Sequence, residues 1–290
     1  MINGSIPALI TPFRDGKVDE ARFQSFVAWQ IEQGSNGLVP CGTTGESSTL
    51  SLEEHMRVVE LCVEAAAGRV PVIAGAGSND TAVAIDLAQS AQKAGADAVL
   101  LVAPYYNRPS QDGLFAHYKA INDAVSIPMV IYNVPARTVV DISPETMGRI
   151  SKLANVIGVK DASGDLARVE RHRELCGDKF IQLSGNDDTA VEFCELGGVG
   201  CISVTANVAP KLCADMQAAL RKGDVAGARA LNAKLASLHR AMFVEPSPAP
   251  AKFGASLLGK SSPDVRLPII PCTDAAKQSV RTAMETAGVL

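Results

Sequence analysis

The sequence predicts an α/β fold, a (β/α)8 barrel with a C-terminal helical extension, from three observations. Short apolar runs alternate with amphipathic stretches about 20 to 35 residues apart, which is the rhythm of βα units around a parallel sheet. Eight such units precede residue 224. Most of the runs are continuously apolar, as strands buried on both faces are. We therefore expect a TIM-barrel architecture over residues 1–223 and a helical subdomain over residues 224–290.

The predicted strands follow the chain in the order of these apolar runs. They cover residues 6–10, 37–40, 71–74, 98–102, 129–132, 156–160, 180–184 and 200–204. An open doubly wound sheet is the alternative arrangement, but Gly75-Ala76-Gly77 lacks the third glycine of the dinucleotide-binding fingerprint. The barrel is therefore favoured.

The helices between the strands carry clear end signals. Ser51 and Glu54 form a capping box before an apolar stripe, and Ser143 precedes a proline at a first helical position. Gly177 is placed to end another helix. Beyond the barrel, a helix rich in Ala and Leu is expected over 226–243, with two shorter helices after the prolines that follow it.

Composition argues against several classes of protein. The chain has 290 residues, 47% hydrophobic and 20% charged, with a net charge of -4 and no dense basic run, so we expect no nucleic-acid partner. The longest apolar run, residues 98–103, is too short to span a bilayer and no leader pattern precedes it, so we expect no membrane partner and a cytoplasmic location. Seven scattered cysteines and four histidines lack metal-ligand spacing, and we expect no metal.

Lys160 closes the run Val156-Ile157-Gly158-Val159-Lys160, and no other predicted strand carries a lysine. Burial disfavours the ammonium form of lysine, and a neutral amine attacks a carbonyl to form a Schiff base. The alternative is a strand-end lysine whose head reaches solvent. Lys160 is thus a candidate nucleophile.

Polar side chains follow most of the predicted strands. Because barrel enzymes gather their sites at the carboxyl ends of the strands, we expect these residues on one rim. They are Cys41-Gly42-Thr43-Thr44-Gly45-Glu46, Tyr105-Tyr106-Asn107, Tyr132-Asn133 with Arg137, Lys160-Asp161, Ser184-Gly185-Asn186 and Ile202-Ser203.

Each of these signals has two interpretations. The turn at residues 42–45 is either an ordinary Gly/Thr turn or an anion site, with a carboxylate favoured because the lysine of a nucleotide loop is missing. Tyr132 is either a core residue or a site residue. Arg137 either forms a surface salt bridge or binds a substrate carboxylate. Their convergence on one rim favours an active site.

Longer motifs at these positions resemble the dihydrodipicolinate synthase family, whose activity is also called 4-hydroxy-tetrahydrodipicolinate synthase. They are GTTGE at 42–46, YYNRP at 105–109, YNVPxRT at 132–138, GVKDASGD at 158–165, LSGND at 183–187, GCISVTAN at 200–207 and FVEPxPxPxK at 243–252. The resemblance extends over essentially the whole chain. It implies a lyase of the class I aldolase type, acting in the diaminopimelate route to lysine.

The resemblance also implies roles for the catalytic residues. Lys160 would form a Schiff base with pyruvate, and the resulting enamine would attack L-aspartate 4-semialdehyde. Tyr132 would be the general acid and base, with Thr44 and Tyr106 completing a proton relay. Thr43 and Thr44 would hold the pyruvate carboxylate.

The remaining implied features concern the second substrate and the assembly. Arg137 would bind the carboxylate of the semialdehyde, and the main-chain carbonyls of Gly185 and Ile202 would line the site. No external cofactor is expected, because the Schiff base on Lys160 serves instead. A homotetramer is the family expectation, with Tyr106 reaching the site of a neighbouring subunit.

Sister enzymes share part of this pattern. N-acetylneuraminate lyase and keto-deoxy sugar acid aldolases keep the lysine and tyrosine but commonly differ at the second threonine and at the arginine. Thr44, Tyr106 and Arg137 are all present here, which favours the synthase. A non-catalytic keto-acid-binding barrel is less favoured because a buried amine is costly to desolvate. A phosphate-using isomerase is also less favoured, since no clear phosphate loop follows strands seven and eight.

Family members inhibited by lysine bind it at a subunit interface. The corresponding positions here are Ser47, Leu52, His55, Asn79, Val83 and Tyr105. Leu52 and Val83 depart from the histidine and glutamate that sensitive members often carry. Because Val83 cannot pair with the amine of lysine, we predict weak or absent feedback inhibition.

Overall fold

Eight parallel segments close into a barrel in the structure, a computed structural model that describes residues 2–290. The strands are β1 Gly4–Pro7, β2 Phe13–Arg14, β3 Lys17–Val18, β4 Ile73–Gly75, β5 Ala98–Val102, β6 Met129–Asn133, β7 Val156–Asp161, β8 Ile181–Ser184 and β9 Gly200–Ser203. Seven of them form one sheet in the order β1-β9-β8-β7-β6-β5-β4. Residues 38–39 bridge Val72 on one side and Ala8 on the other, which closes the ring. The predicted (β/α)8 barrel is confirmed.

Helices surround the barrel and form the C-terminal region. They are α1 Glu20–Glu32, α2 Leu52–Ala66, α3 Thr81–Ala94, α4 Gln111–Ala124, α5 Pro135–Thr138, α6 Pro144–Ile150, α7 Ala167–Cys176, α8 Ala190–Glu195, α9 Pro210–Arg221, α10 Val225–Ala241, α11 Ala249–Leu257 and α12 Asp274–Ala287. The predicted capping box is present, because Ser51 and Glu54 exchange both side-chain bonds at the start of α2. Ser143 caps α6 and Gly177 ends α7, as the sequence predicts.

Two parts of the first forty residues differ from the predicted strands. The run at 37–40 pairs only through single bridges at Leu38 and Val39. The sequence analysis also omits the hairpin of β2 and β3, whose turn residues Asp15 and Gly16 have φ values of 52° and 76°. An Asp-Gly pair is a strong signal for such a turn.

Alternation along the strands separates two hydrophobic cores. Leu100, Val130 and Tyr132 belong to a cluster inside the barrel, whereas Val99 and Leu101 belong to the larger cluster beneath the helices. The inner cluster thus includes Tyr132, which sits at the carboxyl end of β6. Strand parity therefore directs this side chain toward the barrel axis.

The C-terminal helices pack against the helical layer of the barrel. α10 contacts α8, α9 and α12, and α11 contacts α12. Leu235 and Val280 belong to the same hydrophobic cluster as Val99 of the barrel. Dividing the chain at residue 224 remains a prediction, because this cluster runs across the boundary.

Candidate active site

A cavity of about 190 Å³ opens where the barrel strands end. Six residues that the sequence analysis proposed for catalysis or substrate binding line it together: Thr43, Thr44, Tyr132, Arg137, Lys160 and Gly185. Apolar side chains such as Val39, Leu100 and Val134 complete the wall. The polar rim that the sequence indicated is therefore one concave site.

Lys160 lies between two strands that fix its place in the cavity wall. It pairs in register with Tyr132 of β6 and Leu183 of β8. Its side chain is 7% exposed, and its Nζ lies 4.0 Å from the centroid of the Tyr132 ring. Within residues 2–290, no carboxylate oxygen lies within 4.0 Å of this nitrogen. The amine therefore faces a ring and a cavity without a counter-charge.

Two glycines make room for the lysine and for its strand. A Cβ on Gly185 would lie 3.2 Å from Lys160 Cε and 2.6 Å from Ala162 Cβ. A Cβ on Gly158 would lie 2.3 Å from the carbonyl oxygen of Ile181. Any larger residue at these positions would displace β7 or the lysine side chain.

The turn at residues 42–46 presents its threonines to the cavity because its ends adopt unusual backbone conformations. Cys41 and Glu46 have φ values of 54° and 57°, which side chains rarely adopt. The turn bond from the Gly45 N–H to the Gly42 carbonyl is 3.1 Å long, and the hydroxyl of Thr11 donates to the Gly45 carbonyl at 2.7 Å. Strained backbone held by such contacts is characteristic of functional sites.

Arg137 reaches the cavity from the loop after β6. Pro135 starts the short helix α5, and the Arg137 N–H donates to the Val134 carbonyl at 2.9 Å. The residue is exposed and lines both this cavity and a neighbouring one. An exposed cation at the mouth of a cavity is suited to the carboxylate of an entering substrate.

A polar network behind the cavity fixes the ends of β6 and β7. Asn133 donates to Asp141 at 2.8 Å, and Arg168 pairs with the same carboxylate. Burial opposes ionisation of Asp141, but the hydrogen bonds from Arg168 and Asn133 keep its pKa below the usual range. On the next strand, Asp161 accepts from the Ser163 N–H at 2.8 Å. These bonds hold the backbone on either side of the catalytic candidates.

A second cavity of about 430 Å³ adjoins the first and shares Thr43, Ser47 and Arg137 with it. Of the candidate regulatory residues, Ser47, His55 and Tyr105 line it, together with Leu52 and Val83. Asn79 does not line it, and its carbonyl accepts from Asn107 at 2.8 Å. Burial lowers the pKa of His55 to about 4, so this ring is neutral near pH 7.

Tyr106 and Ile202 do not join the lining residues of the first cavity. Tyr106 is 89% exposed and has a φ of 69°. Ile202 is 1% exposed on β9, where its side chain packs in the inner core. An aromatic ring held outward in a strained conformation is available to a neighbouring molecule.

The sequence analysis missed two contributions from the C-terminal region. Phe243 and Ser247 line the cavity, although the sequence analysis places site residues only at the strand ends and in the loops that follow them. Lys252 is fully buried and lies 2.7 Å from Glu46 of the turn. The only signal was the motif at 243–252, to which we gave no role.

Metal-binding clusters and membrane-spanning helices are both absent from residues 2–290. Within residues 2–290, no group of three or more His, Cys, Asp and Glu side chains is arranged to hold a metal ion. In the same part of the chain, no helix combines the length and apolar character needed to cross a bilayer.

Comparisons with known proteins agree with these motifs. The model of the dihydrodipicolinate synthetase family matches residues 1–287. A 4-hydroxy-tetrahydrodipicolinate synthase of Hyphomonas neptunium is 60% identical over 291 residues, covering 100% of this chain and 99% of the relative. One of Parvibaculum lavamentivorans is 60% identical over 290 residues, covering 100% of both. The chloride-inhibited dihydrodipicolinate synthase from Acinetobacter baumannii, solved with pyruvate, superposes with a TM-score of 0.97 at 44% identity over 100% of both chains.

Proposed function

Because this chain belongs to the dihydrodipicolinate synthetase family, we propose that it is a 4-hydroxy-tetrahydrodipicolinate synthase. It condenses pyruvate with L-aspartate 4-semialdehyde in the diaminopimelate route to lysine. One observation carries the proposal: the amine of Lys160, 7% exposed and without a carboxylate partner, faces a cavity also lined by Thr43, Thr44 and Arg137. That arrangement suits attack on a small keto acid.

The first half of the reaction forms the nucleophile. The amine of Lys160 attacks the carbonyl carbon of pyruvate to give a carbinolamine. A proton delivered through Tyr132 to its hydroxyl group allows water to leave, which gives an iminium ion. The iminium withdraws electrons, so a methyl proton leaves and an enamine forms. Thr43 and Thr44 hold the pyruvate carboxylate through hydroxyl and backbone N–H donors of the turn.

The second half forms the carbon–carbon bond. The enamine carbon attacks the aldehyde of the semialdehyde, whose carboxylate Arg137 binds at the mouth of the cavity. Tyr132 transfers the protons, and Thr44 with Tyr106 connects it to solvent. The substrate amine then displaces Lys160 by cyclisation, which releases the product and restores the free lysine. The carbonyls of Gly185 and Ile202 lie near the substrates, and the chemistry needs no external cofactor.

Borohydride trapping tests this proposal. Reduction in the presence of pyruvate should leave an adduct on Lys160 that peptide mass spectrometry locates, and Lys160→Ala should give none. Adding the semialdehyde should then yield product with the wild-type chain only. A folded wild-type protein without an adduct would refute the Schiff-base mechanism. An adduct without condensation would point to a sister aldolase with another acceptor.

We further propose that the active form is at least a dimer, and a homotetramer by family expectation. Tyr106 is 89% exposed and does not line the cavity of its own chain, which supports a role in the site of another copy. Activity should fall on dilution together with the fraction of oligomer seen by analytical ultracentrifugation. Full specific activity in the monomer would contradict the shared relay.

We also propose that L-lysine inhibits this enzyme weakly or not at all. The second cavity is lined by no carboxylate within residues 2–290, and Arg137 is its charged lining residue. A cationic amine would therefore enter without a counter-charge. Val83→Glu should introduce inhibition, whereas Val83→Gln should not. Inhibition of the wild type at sub-millimolar lysine would refute the proposal.

A further inference from the structure

The C-terminal region contributes a buried lysine that the proposed reaction does not use. Lys252, on α11, is fully buried, and its Nζ lies 2.7 Å from Oε1 of Glu46 and 3.9 Å from the centroid of the Phe13 ring. Glu46 is itself 4% exposed. The two residues are 206 positions apart in the chain. This ion pair therefore joins the C-terminal helices to the turn that carries Thr43 and Thr44.

The second carboxylate oxygen of Glu46 is also bound by the C-terminal region. Oε2 accepts from the Arg266 N–H at 2.9 Å. The guanidinium of Arg266 then binds both oxygens of Glu54 at 2.6 Å and the Thr49 carbonyl at 2.8 Å. Both ends of the segment from 46 to 54 are thus held by Arg266 and Lys252.

Glu46 transmits this restraint to the threonines through the backbone. Its φ of 57° lies in the left-handed region, which costs a side-chain-bearing residue conformational energy. Its N–H donates to the Thr43 carbonyl at 3.1 Å, and its carbonyl accepts from the Thr49 N–H at 3.0 Å. The carboxylate contacts with Lys252 and Arg266 compensate for the strain. Release of Glu46 would let the turn relax.

We propose that Lys252 and Glu46 are positioning residues that hold the turn at 42–46 in the shape that binds the carboxylate of the keto acid. The inference rests on the proposed function and deepens it. A buried ion pair is seldom the cheapest way to stabilise a fold, since apolar residues of similar volume often serve as well. Apolar residues at these two positions would not hold the backbone of a strained turn in one geometry, whereas this ion pair does.

The test measures keto-acid binding apart from the full reaction. Borohydride trapping is carried out on the full-length chain over a range of pyruvate concentrations. It gives the pyruvate concentration at which trapping on Lys160 is half-maximal. In Glu46→Gln/Lys252→Met, which leaves no unpaired buried charge, this concentration should rise by about 10- to 100-fold. The KM for the semialdehyde should stay within about three-fold, because Arg137, which binds its carboxylate, lies on another loop and is not affected by the variant.

Two variants control for a loss of packing in the C-terminal region. Lys260→Met removes a cation 5.0 Å from the Trp29 ring, and Ser262→Ala removes a 2.6 Å bond to the Phe13 carbonyl. Neither residue contacts Glu46, so pyruvate half-saturation should be unchanged in both. If the double variant does not fold, Glu46→Gln alone decides. Its amide oxygen still accepts from Lys252, but its amide nitrogen cannot accept from the Arg266 N–H, so half-saturation should still shift, by less than in the double variant.

The outcomes separate the two proposals. A wild-type chain that forms no adduct overturns the proposed function and this inference with it. A trapped wild type, together with a folded double variant of equal half-saturation, overturns the inference alone. A shift confined to the double variant and Glu46→Gln, absent from both control variants, supports it.

Discussion

Two buried lysines occupy similar surroundings in different regions of this molecule and differ in one respect. Lys160 in the barrel and Lys252 in the C-terminal region each place Nζ about 4 Å above an aromatic ring, at 4.0 Å and 3.9 Å. Lys252 also has a carboxylate partner at 2.7 Å, whereas no carboxylate within residues 2–290 pairs with Lys160. Burial of an amine alone therefore does not identify a nucleophile.

The difference separates a structural amine from a reactive one. Burial lowers the pKa of Lys252 to about 8, although the attraction of Glu46 acts in the opposite direction. Its nitrogen is enclosed, so a substrate carbonyl has no path to it. Lys160 faces a cavity and has no ion pair to give up when its nitrogen becomes covalently bound. A counter-charge thus restrains one lysine, and its absence leaves the other free to react.

The largest expected effect comes from Lys160→Met. Removing the nucleophile should lower kcat by about 10³-fold or more, because no other amine replaces it in the cavity. The melting temperature should stay the same or rise, since no buried partner is left unpaired. Steady-state kinetics and calorimetry measure the two quantities. A large loss of stability would show that Lys160 has a structural role like that of Lys252.

Lys252→Met should have the opposite pattern. It leaves Glu46 charged and buried, which should lower the free energy of unfolding by about 3–5 kcal/mol. Urea denaturation measures the loss, and adding Glu46→Gln should recover part of it because the charge is then removed. Equal stability of the single and double variants would mean that the pair is not coupled.

A smaller effect is expected from Gly185→Ala, which crowds the surroundings of Lys160 and leaves those of Lys252 unchanged. The new methyl group meets Ala162 and Lys160 Cε, and overpacking of this kind costs about 1–3 kcal/mol. Adding Ala162→Gly relieves the closest contact, so stability should recover while the rate of pyruvate trapping on Lys160 stays low. Recovery of both would place the effect in packing rather than at the lysine.

The smallest effect concerns His55, a buried base that, like Lys160, has no carboxylate partner within residues 2–290. Burial lowers its pKa to about 4, while the unfolded value is near 6.5. Between these values the unfolded state binds a proton that the folded state does not, so stability falls as pH decreases. From pH 7 to 5.5 this should cost about 1 kcal/mol. Urea titrations at both pH values measure the free energy of unfolding. Between pH 7 and 5.5 it should fall by about 1 kcal/mol less in His55→Gln than in the wild type, and an equal fall in both proteins would contradict the prediction.

The sequence predicted the parts of the site that depend on local pattern. The strand at residues 98–102 is found as predicted, and Lys160 sits where strand parity and the carboxyl-end rule place it. The run at 37–40 is reduced to single bridges, since its pairing depends on neighbours rather than on its own residues. The parts that could not be predicted depend on contacts between residues far apart in the chain.

Contacts between residues far apart in the chain leave no periodic pattern in the sequence. Glu46 follows a glycine turn and Lys252 lies in a Pro/Ala segment, so neither local sequence indicates that the other is its partner. Phe243 and Ser247 reach the cavity only because the C-terminal helices pack back over the barrel. Likewise, the size of the second cavity depends on how α2 and α3 are spaced, which hydrophobic pattern alone does not specify.

The link between Glu46 and the C-terminal region also constrains how the enzyme is made. Ribosomes synthesise Thr43 early and Lys252 and Arg266 only near the end of the chain. A nascent chain that has just completed the barrel already contains Lys160, Tyr132 and both threonines, yet lacks the residues that hold the turn. The proposed role of this pair implies that the chain binds the keto acid tightly only after the C-terminal helices have left the ribosome and packed against the turn.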